Sequence, residues 1–139
     1  MFELKFFNDI NDEISSLRYE VFVEEQGIDE SIEIEHDEYN YLHLCLTTDN
    51  QLAAYARAKA CSGVFHIGRV LVKREYRGQG LGRKIMEYGE KIGLLNGCNI
   101  MELNAQHHAV SFYKKLGYIG QGEYFEEAKI PHLKMIKNI

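Results

Sequence analysis

The stretch Arg77-Gly78-Gln79-Gly80-Leu81-Gly82-Arg83-Lys84 decides the reading of this chain, because it follows an apolar segment, Val70-Leu71-Val72, and opens an amphipathic one. Glycines at alternate positions 78, 80 and 82 let the main chain approach a ligand closely. Amides at the start of the following helix then present unpaired donors to it. An anion such as a pyrophosphate fits that description. Spacing removes two better-known phosphate motifs. The dinucleotide fingerprint requires a glycine where Arg83 stands, and the P-loop requires a longer gap closed by Gly-Lys-Ser/Thr.

Outward from the loop, Gln51 to Lys59 and Val64 to Val72 read as two strands around a Cys61-Ser62-Gly63 turn. Before them, Tyr41 to Thr47 alternates as a strand with Leu42, Leu44 and Leu46 on one face, closed by the hairpin turn Asp49-Asn50. Phe2 to Phe7 is a first strand. Asn8 or Asp9 is expected to cap a helix along Ile10, Ile14, Leu17 and Val21 that ends at Gly27. After the loop, Leu81, Ile85, Tyr88, Ile92 and Leu95 form one helical stripe stopped by Asn96-Gly97. Asn99 to Ala105 is a further strand. Ala109, Phe112, Tyr113 and Leu116 line a short helix ended by Gly117, and two strands finish the chain, with Pro131 at the first residue of the last or at an edge. The order β, α, three β, α, β, α, β, β predicts an α+β fold with one parallel step, and residues 1–139 read as one domain without repeat or linker.

The pattern Arg77, Gly80, Gly82 between strand and helix resembles the coenzyme A loop of the GNAT family of N-acetyltransferases. A second stretch agrees with it in order and distance. Asn104, followed by Phe112-Tyr113-Lys114-Lys115-Leu116-Gly117-Tyr118, resembles that family's Asn, aromatic pair and Leu-Gly-aromatic signature. Leu17 to Gln26, Gly122 to Phe125 and Ile130 to Met135 are similar to its small bacterial YjcF-like and ElaA-like branch. The resemblance implies the GNAT fold, a mixed and mostly antiparallel sheet of about six or seven strands, splayed between the fourth and fifth and flanked by about three or four helices. It implies acetyl-coenzyme A as co-substrate, with no metal, and transfer of the acetyl group to a primary amine of a small molecule by direct attack in a ternary complex. A non-catalytic acyl-coenzyme A sensor of the same fold is the alternative.

By the same resemblance, main-chain groups of Val70, Leu71 and Val72 pair with the pantetheine arm as an added strand does. Amides of Gly78, Gln79, Gly80, Leu81, Gly82 and Arg83 hold the pyrophosphate, with Arg77 and Arg83 adding charge. Asn104, Phe112 and Tyr113 complete the coenzyme site. Tyr113 is the expected general acid, because a phenol stays protonated at neutral pH and can donate to a departing thiolate. His132, in Pro-His-hydrophobic-x-Met, is the expected base, since imidazole titrates near neutrality. A water chain through Glu25 or Glu35 is the other route for the proton.

For the acceptor, Arg18 either clamps a carboxylate or pairs with Glu25 or the acidic stretch, and Glu25 and Glu35 are candidate substrate contacts. Eight acidic residues fall between Glu24 and Glu38, which reads either as a solvated loop or as a site for a cationic amine. His43, His107 and His108 read as structural. His36 has no partner at metal-ligand spacing.

With 139 residues, 45% of them hydrophobic, the chain has enough material for one core without a disulfide or metal. Cys45, Cys61 and Cys98 are too widely spaced for a zinc site and read as reduced thiols. A net charge of -5 argues against nucleic acid as the partner. The first residues lack a basic leader and no stretch is long enough to span a membrane, which predicts a cytoplasmic protein without membrane association. Enzymes similar to this one are commonly homodimers, so a homodimer is allowed.

Overall fold

Three tight turns with left-handed backbone at both central residues set the strand pairing. They lie at Asp49-Asn50, Ser62-Gly63 and Ala128-Lys129, the geometry that matches the twist of a two-residue hairpin. The computed structural model describes residues 1–139. Its strands are β1 (Glu3–Phe7), β2 (Leu42–Thr48), β3 (Gln51–Cys61), β4 (Val64–Val72), β5 (Ile100–Gln106), β6 (Ile119–Glu127) and β7 (Ile130–Asn138). They form one sheet of 7 strands in the order β1-β2-β3-β4-β5-β7-β6, with β4 and β5 its parallel neighbours. Pro131 stands second in β7, just before pairing with β5 begins at His132, so its missing amide costs no ladder bond there.

Helix α3 (Leu81–Leu95) crosses one face and α4 (Val110–Lys115) packs beside it, over a core that includes Phe65, Ile67, Ile85, Met86 and Met101. The expected stripe on α3 holds at Leu81 and Ile85, continues through Tyr88 and Ile92, which pack partly buried against the core, and fails at Leu95, which is 85% exposed. The fully buried face also takes in Met86, Gly89 and Gly93. A stripe spaced at 3.5 residues drifts around a helix of 3.6, and the glycines let the helix lie closer to the sheet than a side chain would. A Cβ on Gly89 would stand 2.8 Å from Ile67 Cδ1, and one on Gly93 3.2 Å from the Phe65 ring.

The opposite face is covered by α1 (Asp12–Arg18), whose Asn11 side chain, rather than Asn8 or Asp9, accepts from the Ile14 amide as the cap. The helix does not run on as α to Gly27. It widens into a π-helical segment, Tyr19–Glu25, and then ends at Gly27 in left-handed geometry. Ile14, Leu17, Val21 and Phe22 pack on Cys45, Tyr55 and Leu71 as a second core.

The acidic stretch is not a solvated loop. It folds into α2 (Glu30–Glu33) and a 3-10 turn (Glu38–Asn40) that carry Glu33 and Glu38 into the interior, 2% and 3% exposed. Arg18 receives them. Its five N–H donors meet Glu33 Oε1 (2.7 Å), Glu33 O (2.7 Å), Glu38 Oε1 (2.9 Å), Glu38 Oε2 (3.0 Å) and Tyr55 Oη (3.3 Å). At 0% exposure Arg18 has no donor left for a substrate, so the carboxylate-clamp reading is corrected and the pairing with the acidic stretch holds. His43 is structural too, its Nε2–H donating to Glu38 O (2.9 Å) and its Nδ1 accepting from Tyr55 Oη. Burial first lowers its pKa, which keeps the ring neutral. All three cysteines are free, and no helix is long and apolar enough to cross a membrane.

Replacing Arg18 with Met leaves two buried carboxylates without their main partner. The expected loss of stability is roughly 3 to 5 kcal/mol, the cost of breaking a buried ion pair from one side, read as a lower urea midpoint at neutral pH.

Candidate active site

β4 and β5 pair only at Val64–Ile100, Phe65–Met101 and His66–Glu102, and then part. The divergence coincides with a bulge in β4. Tyr55 faces Leu71 and Arg57 faces Gly68, so Arg69 and Val70 together oppose the single residue between Tyr55 and Arg57, and Arg69 takes a φ of 53°. A bulge strengthens local twist and turns the strand away from its neighbour. From Ile67 to Val72 the β5-facing edge of β4 therefore has no strand beside it, and a cavity of about 500 Å³ opens in the gap.

The cavity brings together several of the residues expected from sequence: Val70, Asn104, Tyr113, His132 and Glu35. Tyr113 reaches it from α4, its ring edge-on to Phe112 (5.0 Å) and Tyr118 (6.0 Å). Burial alone acts on its hydroxyl, raising the pKa well above an ordinary tyrosine. It stays protonated and able to donate at any physiological pH. His132 is stacked on Phe125, and its Nδ1 lies 2.7 Å from Ile130 O. A carbonyl only accepts, so Nδ1 carries the proton, and the lone pair of neutral His132 sits on Nε2, 3.5 Å from Glu127 Oε2.

Leu71 and Leu81 are buried as side chains and offer only main-chain groups to a ligand. The glycine loop lies at the same end of the strands. Gly78 and Gly80 have φ of 82° and 76°, backbone that side chains rarely adopt. Gly80 caps α3 without a side-chain bond, and no backbone or side chain of the protein accepts from the amides of Gly78, Gln79, Gly80, Leu81, Gly82 or Arg83. Gly82 lies under Phe112, whose Cζ would be 3.2 Å from an added Cβ, so the loop and α4 are fitted to each other. Unpaired amides around a helix N-terminus suit a phosphate.

Two expected contacts lie elsewhere. Glu25 is outside the cavity and holds Arg77 in a bidentate pair (2.8 and 3.0 Å), with Arg74 at 3.2 Å, so it is corrected from a substrate contact or proton relay to a brace of the loop. Arg77 also donates from Nε to Val72 O (2.9 Å), tying the loop to β4. Arg83 is exposed and pairs with Glu87.

Sequence reading missed Arg57 and Arg69, which line the cavity from β3 and β4. The available signal was a lone charge inside an otherwise apolar strand, at Ala56-Arg57-Ala58 and Gly68-Arg69-Val70, where a buried cation implies a partner. Also missed was the bond from Gln106 Nε2 to Gln26 Oε1 (2.8 Å), which joins the end of β5 to the segment after the π-helical turn. No group of three or more His, Cys, Asp or Glu side chains is placed to hold a metal ion.

Comparison with known proteins identifies the family and its fold. The acetyltransferase (GNAT) domain model matches residues 9–139. The uncharacterized N-acetyltransferase YjcF of Bacillus subtilis is 35% identical over 123 residues, covering 88% of each chain. The crystal structure of Escherichia coli ElaA superposes with a TM-score of 0.84 at 26% identity, covering 99% of this chain and 100% of that one. An aminoglycoside 6'-N-acetyltransferase solved with coenzyme A shares the fold, with a TM-score of 0.77 at 16% identity over 98% of this chain and 96% of its own. The chain belongs to the GNAT acetyltransferase family, and the seven-stranded sheet with its parallel β4–β5 step is that family's fold.

The ionic cluster beside the cavity responds to acid. Burial would raise the pKa of Glu38, but hydrogen bonds from Arg18 and the Glu35 amide, with the charge of Arg57, hold it down at about 2 against an ordinary 4.5. A carboxylate with a depressed folded pKa stabilises the fold above its unfolded value and loses that contribution as pH falls through the folded one. Urea unfolding should show stability declining as pH falls from about 4.5 to about 2, with a shallower decline in Glu38→Gln.

Proposed function

We propose that this protein is an N-acetyltransferase that uses acetyl-coenzyme A to acetylate a primary amine of a small molecule, by direct attack in a ternary complex. The observation that carries this reading is the convergence, in one cavity between β4 and β5, of a buried tyrosine hydroxyl free of protein partners and an imidazole with its lone pair on Nε2. The loop amides and the unpaired edge of β4 fit a pyrophosphate and a pantetheine arm leading to that cavity. When bound, the coenzyme supplies the thioester that carries the acetyl group.

Each residue then has one task. The loop amides and Arg77 bind and orient. The main-chain amide at Val70 or Leu71 donates to the carbonyl oxygen as negative charge develops there. His132 Nε2 takes the proton that the acceptor nitrogen loses as its bond to the acetyl carbon forms. Tyr113 Oη gives a proton to the sulfur as the carbon–sulfur bond breaks. Asn104 lines the channel, Phe112 packs over Gly82 of the loop, and Glu35 borders the acceptor end.

The protein acts as a single domain over residues 1–139, in the cytoplasm, where free thiols and its donor are at home, without a nucleic-acid or membrane partner and without a metal. A homodimer is compatible with the exposed Ile119 and Tyr124 on the outermost strand, β6.

Steady-state release of coenzyme A from acetyl-coenzyme A with a panel of amines tests the reading. Tyr113→Phe and His132→Ala should each lower kcat by roughly 10²- to 10⁴-fold, the size of a general acid or base contribution, while calorimetry shows coenzyme A binding within a few fold of the parent. Tight binding with no turnover on any amine favours the non-catalytic sensor. Unchanged turnover in His132→Ala removes the assignment of the base.

A further inference from the structure

The acceptor end of the cavity carries a charge arrangement that acetyl transfer itself does not require. Three guanidinium groups, of Arg18, Arg57 and Arg69, meet three carboxylates, of Glu33, Glu35 and Glu38. Two of the carboxylates are deeply buried and firmly held. Glu38 takes Arg18 and Arg57 at 2.9 to 3.0 Å, and Glu33 takes Arg18 at 2.7 Å.

The third is different in kind. Glu35 is 40% exposed, and its contacts are long: Oε2 to Arg57 Nη2 at 3.3 Å, and Oε1 to Arg69 Nη2 at 3.7 Å. It is the carboxylate of the cluster that water already reaches.

Arg69 is under-satisfied in the same place. Its Nε is buried without a hydrogen bond, the nearest carboxylate oxygen, Glu33 Oε1, standing at 3.5 Å. Its hydrogen bonds go to the main-chain oxygens of Glu33 (3.1 Å) and Ile32 (3.5 Å). It is held there by the bulge, at a φ of 53° that an arginine rarely adopts, so the backbone aims a cation into the cavity at some cost in strain. Burial first, then the charges of Arg57 and Arg18, lower its pKa, while Glu33 and Glu35 act in the opposite direction. Arg57 is stacked over Tyr41 at 4.1 Å and cannot swing away without losing that contact.

We propose that the acceptor amine also carries a carboxylate, and that Arg57 and Arg69 hold that carboxylate in the position Glu35 occupies here. The proposal rests on the N-acetyltransferase reading and names its substrate class: an amino acid or similar amino-carboxylate. Exchange of one carboxylate for another leaves the cluster neutral, because Glu35 moves into solvent as the ligand enters. A phosphate dianion would leave an uncompensated negative charge beside buried Glu33 and Glu38, and an amine without an anion would leave Glu35 in place and gain nothing from the arginines. The same cavity also suits the amine, with half-exposed Glu127 beside His132 to meet an ammonium before it loses its proton.

The test compares matched pairs as acceptors in the coenzyme A release assay: each proteinogenic amino acid against its α-carboxamide, and β-alanine and 4-aminobutyrate against ethylamine and propylamine. The acid of at least one pair should show a kcat/KM roughly tenfold or more above its uncharged partner, as expected for a charge-assisted bidentate contact. Arg69→Gln should raise KM for that acid by roughly ten- to a hundredfold with kcat little changed, and leave KM for the amide unmoved. Glu35→Gln, which removes the internal competitor and leaves the arginines in place, should lower KM for the acid and not for the amide.

The proposal is overturned if uncharged partners are acetylated as well as the acids, or if Arg69→Gln moves both members of a pair alike. Should no amine be turned over, calorimetry of the same pairs with the coenzyme A-saturated protein decides it. Binding of an acid but not its amide, lost in Arg69→Gln, retains the carboxylate site and removes the transferase reading, whereas no acid binding to either the parent or Glu35→Gln removes the proposal. If Arg69→Gln does not fold, the pairs on the parent protein and Glu35→Gln still give the answer.

Discussion

The candidate site depends on one pair of strands that begins to pair and stops. β4 and β5 share a parallel ladder from Val64 to His66 and then diverge, and the divergence creates both halves of the candidate site. It leaves one edge of β4 with unpaired main-chain groups, which ordinarily invite another strand. It also opens a cavity in what would be the middle of a sheet. The bulge that places Arg69 and Val70 opposite one residue of β3 supplies the local twist. The glycine loop follows directly from the end of β4, so a ligand that lies along the free edge meets the helix N-terminus of α3 without further arrangement.

A sheet opened in this way needs support on the side where it has lost its neighbour, and a buried ionic cluster provides it. Such clusters add little net stability, since desolvating the charges offsets much of their attraction. Their effect is geometric. Arg18 and Glu38, with His43 and Tyr55 behind them, fasten the segment from Glu30 to Asn40 over the sheet and set where Arg57 and Arg69 point. Of the acidic residues that look like a recognition surface in the linear chain, Glu25, Glu33 and Glu38 are thereby spent on the protein's own arginines, and the partly exposed Glu35 is held only by longer contacts. The brace between Glu25 and Arg77 acts similarly at the other end, joining the first helical segment to the loop.

Much of the fold was legible because its signals are local. Glycines and turn residues mark hairpins within a few positions, alternation marks strands, and the loop motif with its flanking strand and helix occupies one continuous stretch. Errors occurred where long-range packing overrides local pattern. Leu95 continues the apolar stripe of α3 in sequence but faces solvent, because Gly89 and Gly93 draw the helix down on another face. The segment after Arg18 keeps helical spacing yet widens into a π turn. Arg18 looked equally suited to a ligand and to a neighbour, and only its position beneath Glu33 and Glu38 separates the two.

The sequence by itself determined the class of fold, the glycine loop at the start of a helix, and the aromatic and histidine residues to look for in one site, since each is written in residues close together along the chain. Tertiary structure alone decided which of those residues share a cavity, which acids are spent internally, and that Arg57 and Arg69 line that cavity. These are relations between β3, β4, α2 and β7. They depend on which charges are buried together, a property of distances across the fold that residue order does not contain.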